Sequence, residues 1–154
     1  MTTSSTAPGA SNDAGPAAAT GGTTDQDPGL SLGTAPITST FEVTDWQQNE
    51  DGGRPRALVR KTFSGPLTGT SEAELLLAGG EGGRGYIACE VFTGTFQGRS
   101  GTLVFQHGGI DDGVAPFTYG YVVPGAGTDE LAGVSGRITY EHDEDGARVH
   151  LFLT

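Results

Sequence analysis

The sequence is poor in the residues that bind nucleic acid, cross-link chains or cross membranes. Eight lysines and arginines stand against nineteen aspartates and glutamates, which gives a formal net charge of -11. This balance counts against nucleic acid and anionic membranes as partners, because both attract basic side chains. The single cysteine, Cys89, excludes an internal disulfide and a zinc site built from several cysteines. No apolar run approaches the roughly 20 residues of a membrane-spanning helix.

The N-terminal segment lacks both a basic block followed by an apolar block and a set of core-forming residues. The first absence argues against a secretory signal, so a cytoplasmic location is expected. Residues 1–36 contain no aromatic residue, and their only leucines are Leu30 and Leu32. We therefore predict a disordered low-complexity tail at 1–36 and one folded domain at 37–154. Alternatively, the two leucines fold over one end of the domain as a lid.

Motifs for nucleotides, cofactors and metals are also missing. No nucleophile elbow, phosphate-binding loop, dinucleotide fingerprint or paired metal-ligand motif occurs. The acidic segments 111–113 and 143–146 look like turns, and they lack the ordered ligand spacing of a calcium loop. We expect no cofactor and no metal.

What is present after Pro36 is a series of short β-branched and aromatic runs separated by glycine-rich turns. This pattern favours an all-β fold, an eight-stranded antiparallel closed barrel. The segment 71–78 has helical propensity and is assigned to a strand because its neighbours are strands. A weak repeat, GPLTG at 65–69 and GTFQG at 94–98, predicts hairpins and corners that depend on glycine. The predicted strands are 39–46, 57–63, 71–78, 86–95, 102–107, 117–123, 136–142 and 148–153.

Strand alternation predicts which side chains face the interior. One face of the fourth strand carries Tyr86, Ala88, Glu90 and Phe92, and the fifth strand places Phe105 and His107 together. We expect a third inward face in the sixth strand. A barrel of this size either is filled by side chains or holds one small ligand. The predicted ligand-binding residues are Tyr86, Phe92, Phe105, Phe117, Tyr119 and Tyr121.

Glu90 and His107 are the predicted catalytic residues. A carboxylate inside a barrel must be paired, hydrogen-bonded or protonated, and the last two conditions suit acid–base chemistry. A structural ion pair of Glu90 with Arg99 or Arg137 is an equally good interpretation. His107 can titrate near neutral pH or orient a ligand, and a structural histidine is the alternative.

Four segments carry a resemblance to a known family: KTFSG at 61–65, YIACEVFTG at 86–94, GRSGTLVFQHGG at 98–109 and VPGAGTDELAG at 123–133. They resemble the uncharacterised bacterial domain-of-unknown-function family 3224, over essentially everything from Phe41 to Leu153. That family is grouped with barrels similar to allene oxide cyclase, and residues 125–136 look like the glycine-rich stretch of dirigent proteins. The resemblance implies an eight-stranded barrel, often oligomeric, that handles hydrophobic intermediates without a cofactor.

These observations lead to one functional hypothesis and two rivals. The first is a barrel that holds a hydrophobic small molecule and isomerises or cyclises it, with Glu90 as acid or base and His107 assisting. The second is a non-catalytic carrier or scavenger of an apolar ligand. The third is a structural oligomer with a filled barrel. A hydrophobic small molecule and a homo-oligomer are thus the expected partners.

Overall fold

The computed structural model describes residues 35–50 and 52–154, and these form one closed antiparallel barrel. Eight strands follow the chain in order around the ring, and the last pairs with the first. The all-β prediction is therefore confirmed. The strands are β1 (Ile37–Asn49), β2 (Arg56–Ser64), β3 (Leu67–Gly80), β4 (Gly83–Phe96), β5 (Arg99–Asp111), β6 (Phe117–Val122), β7 (Gly136–Asp143) and β8 (Gly146–Leu153).

Each predicted strand corresponds to an observed one, and the differences lie at the ends. β3 begins at Leu67, because the turn after β2 occupies only Gly65 and Pro66. The strand assignment of 71–78 is confirmed against its helical propensity, since tertiary pairing overrides local preference. A short 3₁₀ turn, Asp129–Leu131, connects β6 to β7. The predicted tail and the suggested lid of Leu30 and Leu32 lie outside the described residues.

A row of glycines lets three long strands bend around the barrel. Gly69 pairs with Gly94, which in turn pairs with Gly101. Gly94 has φ of 157°, and a Cβ atom there would collide with the backbone oxygen of Thr68. Glycine is required at this corner because it alone combines that φ with so close an approach of neighbouring backbone. The predicted role of glycine at corners is confirmed.

Two apolar clusters fill different parts of the interior. The larger, which we call the phenylalanine core, contains the buried rings of Phe63, Phe92, Phe96 and Phe105. The smaller, the alanine end, is built from shorter side chains with one leucine and one valine. Its members are Ala57, Val59, Ala73, Leu75 and Ala88.

The ring of backbone pairing is incomplete beside the alanine end. β1 pairs with β8 only over Ile37–Phe41, although β1 continues to Asn49. The β6–β7 ladder consists of two pairs, and beyond them the Thr118 hydroxyl bonds to the backbone of Tyr140. Strands β2 to β5 therefore extend past the β7–β8 hairpin.

Candidate functional site

A belt of polar side chains separates the phenylalanine core from the alanine end. On β2, Lys61 lies between the inward residues Val59 and Phe63. On β4, Glu90 lies between Ala88 and Phe92 in the same way. Strand alternation therefore sends these charged groups into the barrel. We call the belt the polar cluster, and its members are Lys61, Ser71, Tyr86, Glu90, His107 and Tyr140.

Glu90 is the centre of the polar cluster. Its side chain has no exposed surface, and four donors satisfy it. Oε2 accepts from Lys61 Nζ at 3.0 Å, from His107 Nε2 at 2.8 Å and from the Tyr140 hydroxyl at 2.9 Å. Oε1 accepts from the Ser71 hydroxyl at 2.5 Å. A buried carboxylate with this many donors is stable only in its ionised form.

The pKa of Glu90 follows from these contacts. Burial alone would raise that pKa, because it disfavours the charged form. The Lys61 ammonium and the hydrogen bonds from His107 and Ser71 outweigh burial and hold the pKa of Glu90 well below its usual range. Glu90 is consequently an anion at physiological pH and has no proton to donate.

Lys61 is held by aromatic faces as well as by Glu90. Its Nζ lies 4.5 Å from the centroid of the Tyr140 ring and 5.0 Å from that of the Phe41 ring. A cation over such rings gains electrostatic stabilisation that partly replaces lost water. Burial and the neighbouring Glu90 anion raise the pKa of Tyr140 well above its ordinary value. The Tyr140 phenol therefore stays protonated and serves as a fixed donor.

His107 links the buried carboxylate to the edge of the cluster. Because an ionised Glu90 only accepts, His107 Nε2 carries the proton of that bond, and Nδ1 is left as an acceptor. The Tyr86 hydroxyl lies 3.1 Å from Nδ1 and donates to it. Burial lowers the pKa of His107, and Lys61 adds to this, although the Glu90 bond opposes both. The imidazole is thus neutral, with Nδ1 pointing at Tyr86.

Tyr86 forms the outer end of this chain of hydrogen bonds. Its ring is partly buried and packs, with Trp46 and Leu77, against the alanine end. A Cβ atom on Gly109 would clash with this ring, so the absence of a side chain there lets Tyr86 lie flat against β5. Tyr86 is therefore the member of the Glu90–His107–Tyr86 series that a molecule at this end could contact.

The structure brings some predicted site residues together and separates others. Glu90 and His107 form one buried pair, and Tyr86 extends it. Phe92 and Phe105 face inward as expected but belong to the closely packed phenylalanine core. The predicted ion pair of Glu90 with Arg99 or Arg137 is wrong. Those guanidinium groups stack on the rings of Phe96 and Phe152, respectively, and Lys61 is the cation beside Glu90.

The predicted inward face of β6 was also wrong. Phe117, Tyr119 and Tyr121 are about half exposed on the outside, whereas Thr118 and Val122 are buried. The sequence correctly predicts that aromatic residues alternate along β6, but it assigns them to the inner face, and they lie on the outer one. Hydrophobicity alone predicts the large aromatic residues inside, but β6 turns its smaller residues inward. These three residues do not line the interior.

Sequence reasoning missed Lys61, Ser71 and Tyr140 as members of the cluster. The signal for Lys61 was present, because it alternates with Ala57, Val59 and Phe63 on β2. The same alternation carries Ser71 and Tyr140, but their contact with Glu90 spans 19 and 50 residues of chain. Ser71 reaches Glu90 across the β3–β4 hairpin, whereas Tyr140 reaches it only because the barrel closes.

Two other classes of site have no support in the described part of the chain. Among residues 35–50 and 52–154, no group of three His, Cys, Asp or Glu side chains is placed to hold a metal ion. The same residues contain no helix that is both long and apolar enough to cross a bilayer.

Comparison with known proteins places this barrel in a family. A search of the curated proteins found no match. A solved structure from Shewanella oneidensis MR-1, described as a protein with unknown function from the DUF3224 family, has a TM-score of 0.69 and 27% sequence identity. That alignment covers 79% of this chain and 97% of the other. The model of DUF3224, a protein family of unknown function, matches residues 37–153. The chain therefore belongs to the DUF3224 family.

Proposed function

We propose that this protein binds a neutral, apolar, carbonyl-containing small molecule at the alanine end and moves a proton on it without a cofactor. The observation that carries the proposal is the series Glu90–His107–Tyr86, in which a buried anion fixes the tautomer of a neutral imidazole. An apolar core of the same volume is often at least as stable as a buried ion pair. Buried ionisable groups with perturbed pKa values are also concentrated at functional sites.

The ligand would lie against the three partly exposed apolar side chains at this end. Trp46, Leu77 and Tyr86 supply contact area, and the alanines behind them are small. A ligand site of this kind is mostly apolar with a few polar groups that set orientation. The Tyr86 hydroxyl is the polar group that meets the carbonyl compound.

The proton steps balance within the protein and the ligand. The Tyr86 oxygen takes a proton from the carbon next to the carbonyl while the Tyr86 proton passes to His107 Nδ1, so the ligand becomes an enolate. The imidazolium formed is paired with the Glu90 carboxylate through Nε2–H. Return of the proton at a different carbon shifts a double bond and restores both side chains. General acid–base catalysis of this type contributes typically 10²–10⁴-fold to a rate.

The resemblance to barrels similar to allene oxide cyclase and to dirigent proteins supports the same class of reaction, cofactor-free isomerisation or cyclisation. A carrier that uses the same end without chemistry is the second candidate. It is favoured by the burial of Glu90 and His107, which leaves only Tyr86 of the series partly exposed to a ligand.

Both candidates can be tested with the single tryptophan of the chain as the reporter. Because Trp46 packs at the alanine end, its fluorescence should change when a panel of neutral apolar enones, including β-ionone, is titrated into the protein. In D₂O, the bound enone should gain deuterium at the carbons next to, or conjugated with, its carbonyl. Mass spectrometry of the extracted enone measures this exchange.

The matched variants are Tyr86→Phe and Tyr121→Phe, of which the second changes an exposed tyrosine on the outside. Tyr86→Phe should keep binding and lower deuterium exchange about 100-fold, while Tyr121→Phe should match the unchanged protein. Binding without exchange would leave the carrier. A Trp46 signal that no member of the panel alters would contradict both.

A further inference from the structure

The outside of the barrel carries a large apolar surface that plays no part in the proposed reaction. Its residues lie on β3 to β6, and each is between 39% and 54% exposed. We call it the outer apolar face. It consists of Leu76, Ile87, Val91, Ile110, Phe117, Tyr119 and Tyr121.

Strand register makes this face continuous. Leu76 pairs with Ile87, Ile87 pairs with Gly108, and Gly108 pairs with Tyr119, so these positions form one row across four strands. The phenol of Tyr119 lies over Gly108, where a side chain would collide with it. The Tyr119 ring thus covers the place in the row where Gly108 has no side chain.

A second row of outward residues runs parallel to the first, two residues away from it along each strand. Cys89 pairs with Gln106, and Gln106 pairs with Tyr121. Both rows line one open groove of about 1350 Å³, which continues over β2 to the end of β1. Leu76, Ile87, Tyr119 and Tyr121 of the outer apolar face therefore share one groove, which Arg56, Glu74 and His107 also line.

Most of this face carries no charge, although the chain as a whole is strongly acidic, and its charged neighbours are Glu72 and Glu74 on β3, which pair with Val91 and Cys89. The outward positions of β4 to β6 that belong to the face carry no aspartate, glutamate, lysine or arginine. Depletion of charge at the core, with enrichment of tyrosine and phenylalanine, is the compositional mark of a protein interface. These outward residues are Ile87, Cys89, Val91, Thr93, Thr102, Val104, Gln106, Gly108, Ile110, Phe117, Tyr119 and Tyr121.

The area of the face approaches what a dimer needs. Aromatic side chains present about 150–250 Å² each, so three that are half exposed contribute about 300 Å². The four aliphatic members bring the apolar total to about 600 Å², the upper end for a monomer's largest patch. A standard interface buries about 800 Å² on each partner. The apolar area of the face is thus about three quarters of one partner's share, and Cys89, Gln106 and Val104 adjoin it on β4 and β5.

From this we infer that the outer apolar face binds a second copy of this chain in a two-fold symmetric dimer. A chain of net charge -11 repels its own copies over most of its surface, and the outward positions of the face on β4 to β6 are where two copies can meet with the least repulsion. A basic partner would be attracted to the acidic surfaces instead. Sheets bury apolar faces by packing face to face at about 10 Å, which this surface permits.

The position of Cys89 gives the dimer a specific geometry. Cys89 and Gln106 lie at the middle of the face, with Ile87 and Val91 on either side along β4. A two-fold axis through the centre of an isologous interface brings the same residue of both copies together. The two Cys89 thiols should then lie within reach of a short bis-maleimide linker.

The experiment is analytical ultracentrifugation of the full chain, with Ile87→Asp as the test variant and Val43→Asp as its matched control. Val43 is 49% exposed and Ile87 53%, but Val43 lies on β1, outside the face. The unchanged protein and Val43→Asp should sediment as dimers at 100 µM. Ile87→Asp should sediment as a monomer with an unchanged circular-dichroism spectrum.

The complementary measurement needs no substitution. Treatment of the unchanged protein with a short bis-maleimide should give a covalent dimer, and because Cys89 is the only cysteine, the link must join Cys89 to Cys89. A monomeric unchanged protein would overturn the inference and leave the face to a different molecule. A dimer that survives Ile87→Asp, a trimer, or a dimer that the linker does not capture would overturn it equally.

Discussion

Glu90 Oε2 lies 2.8 Å from His107 Nε2, and both side chains are buried inside the barrel. Because the carboxylate accepts and cannot donate, this contact decides which ring nitrogen carries the proton. His107 Nδ1 consequently accepts from Tyr86 at the edge of the interior. The Glu90 carboxylate thereby fixes the direction of the hydrogen bond between His107 and Tyr86, which lies nearer to the surface.

The Lys61–Glu90 ion pair should dominate the stability of the polar cluster. Lys61→Met and Glu90→Gln each leave a charged partner buried, and such changes typically cost roughly 3–5 kcal/mol in the free energy of unfolding. The double variant leaves no buried charge from this pair, so its cost should be less than the sum of the two. Urea unfolding of the four proteins measures this coupling.

Additive effects of Lys61→Met and Glu90→Gln would contradict this interpretation of the pair. Residues in direct contact usually show coupling energies of about 0.5–3 kcal/mol, so additivity would mean that the two charges are separately solvated.

The free energy of unfolding should fall in two steps as the pH is lowered. Burial lowers the pKa of His107, so as the pH falls this side chain binds a proton in the unfolded chain before it does so in the folded one. The contribution of the neutral His107 to stability is therefore present above pH ~6.5 and is lost below it. The Lys61 ammonium and the hydrogen bonds from His107 and Ser71 hold the pKa of Glu90 far below its usual range, despite burial. Its contribution is present above pH ~4.3 and is lost below that.

Urea unfolding between pH 4 and pH 8 measures these steps, and His107→Gln is the control. That variant should lose the step near pH ~6.5 and keep the one near pH ~4.3. A free energy of unfolding that is constant from pH 7 to pH 5 in the unchanged protein would refute the buried neutral state of His107.

The barrel corner at Gly94 should tolerate no side chain. Gly94→Ala combines an unfavourable φ of 157° with a collision against the backbone oxygen of Thr68. Gly98 has φ of 83° but open space around its Cβ position. Gly98→Ala should therefore lose only the free energy of unfolding that the unfavourable φ costs, about 1–2 kcal/mol. Gly94→Ala should be destabilised by more than that, as measured by thermal unfolding. Equal losses in the two variants would show that close approach at this corner is unimportant.

The barrel was predictable from local patterns, while the contents of its interior were not. Alternation and glycine turns identified each strand, because a residue's face depends only on its immediate neighbours. His107 lies beside Glu90 through the β4–β5 hairpin, whereas the contacts of Glu90 with Lys61 and Tyr140 depend on how the eight strands close, which no local pattern encodes. The prediction for β6 is wrong because it takes hydrophobic residues to be buried, whereas apolar residues can also form an exposed face.

The central claim is that Glu90 holds His107 as a neutral imidazole whose proton is on Nε2. Two-dimensional ¹H–¹⁵N NMR of the ring nitrogens at pH 7 tests it directly, with the exposed His142 as an internal reference. We expect a protonated Nε2, an unprotonated Nδ1, and a loss of this preference in Glu90→Gln. A doubly protonated ring, or a proton on Nδ1, would contradict the account.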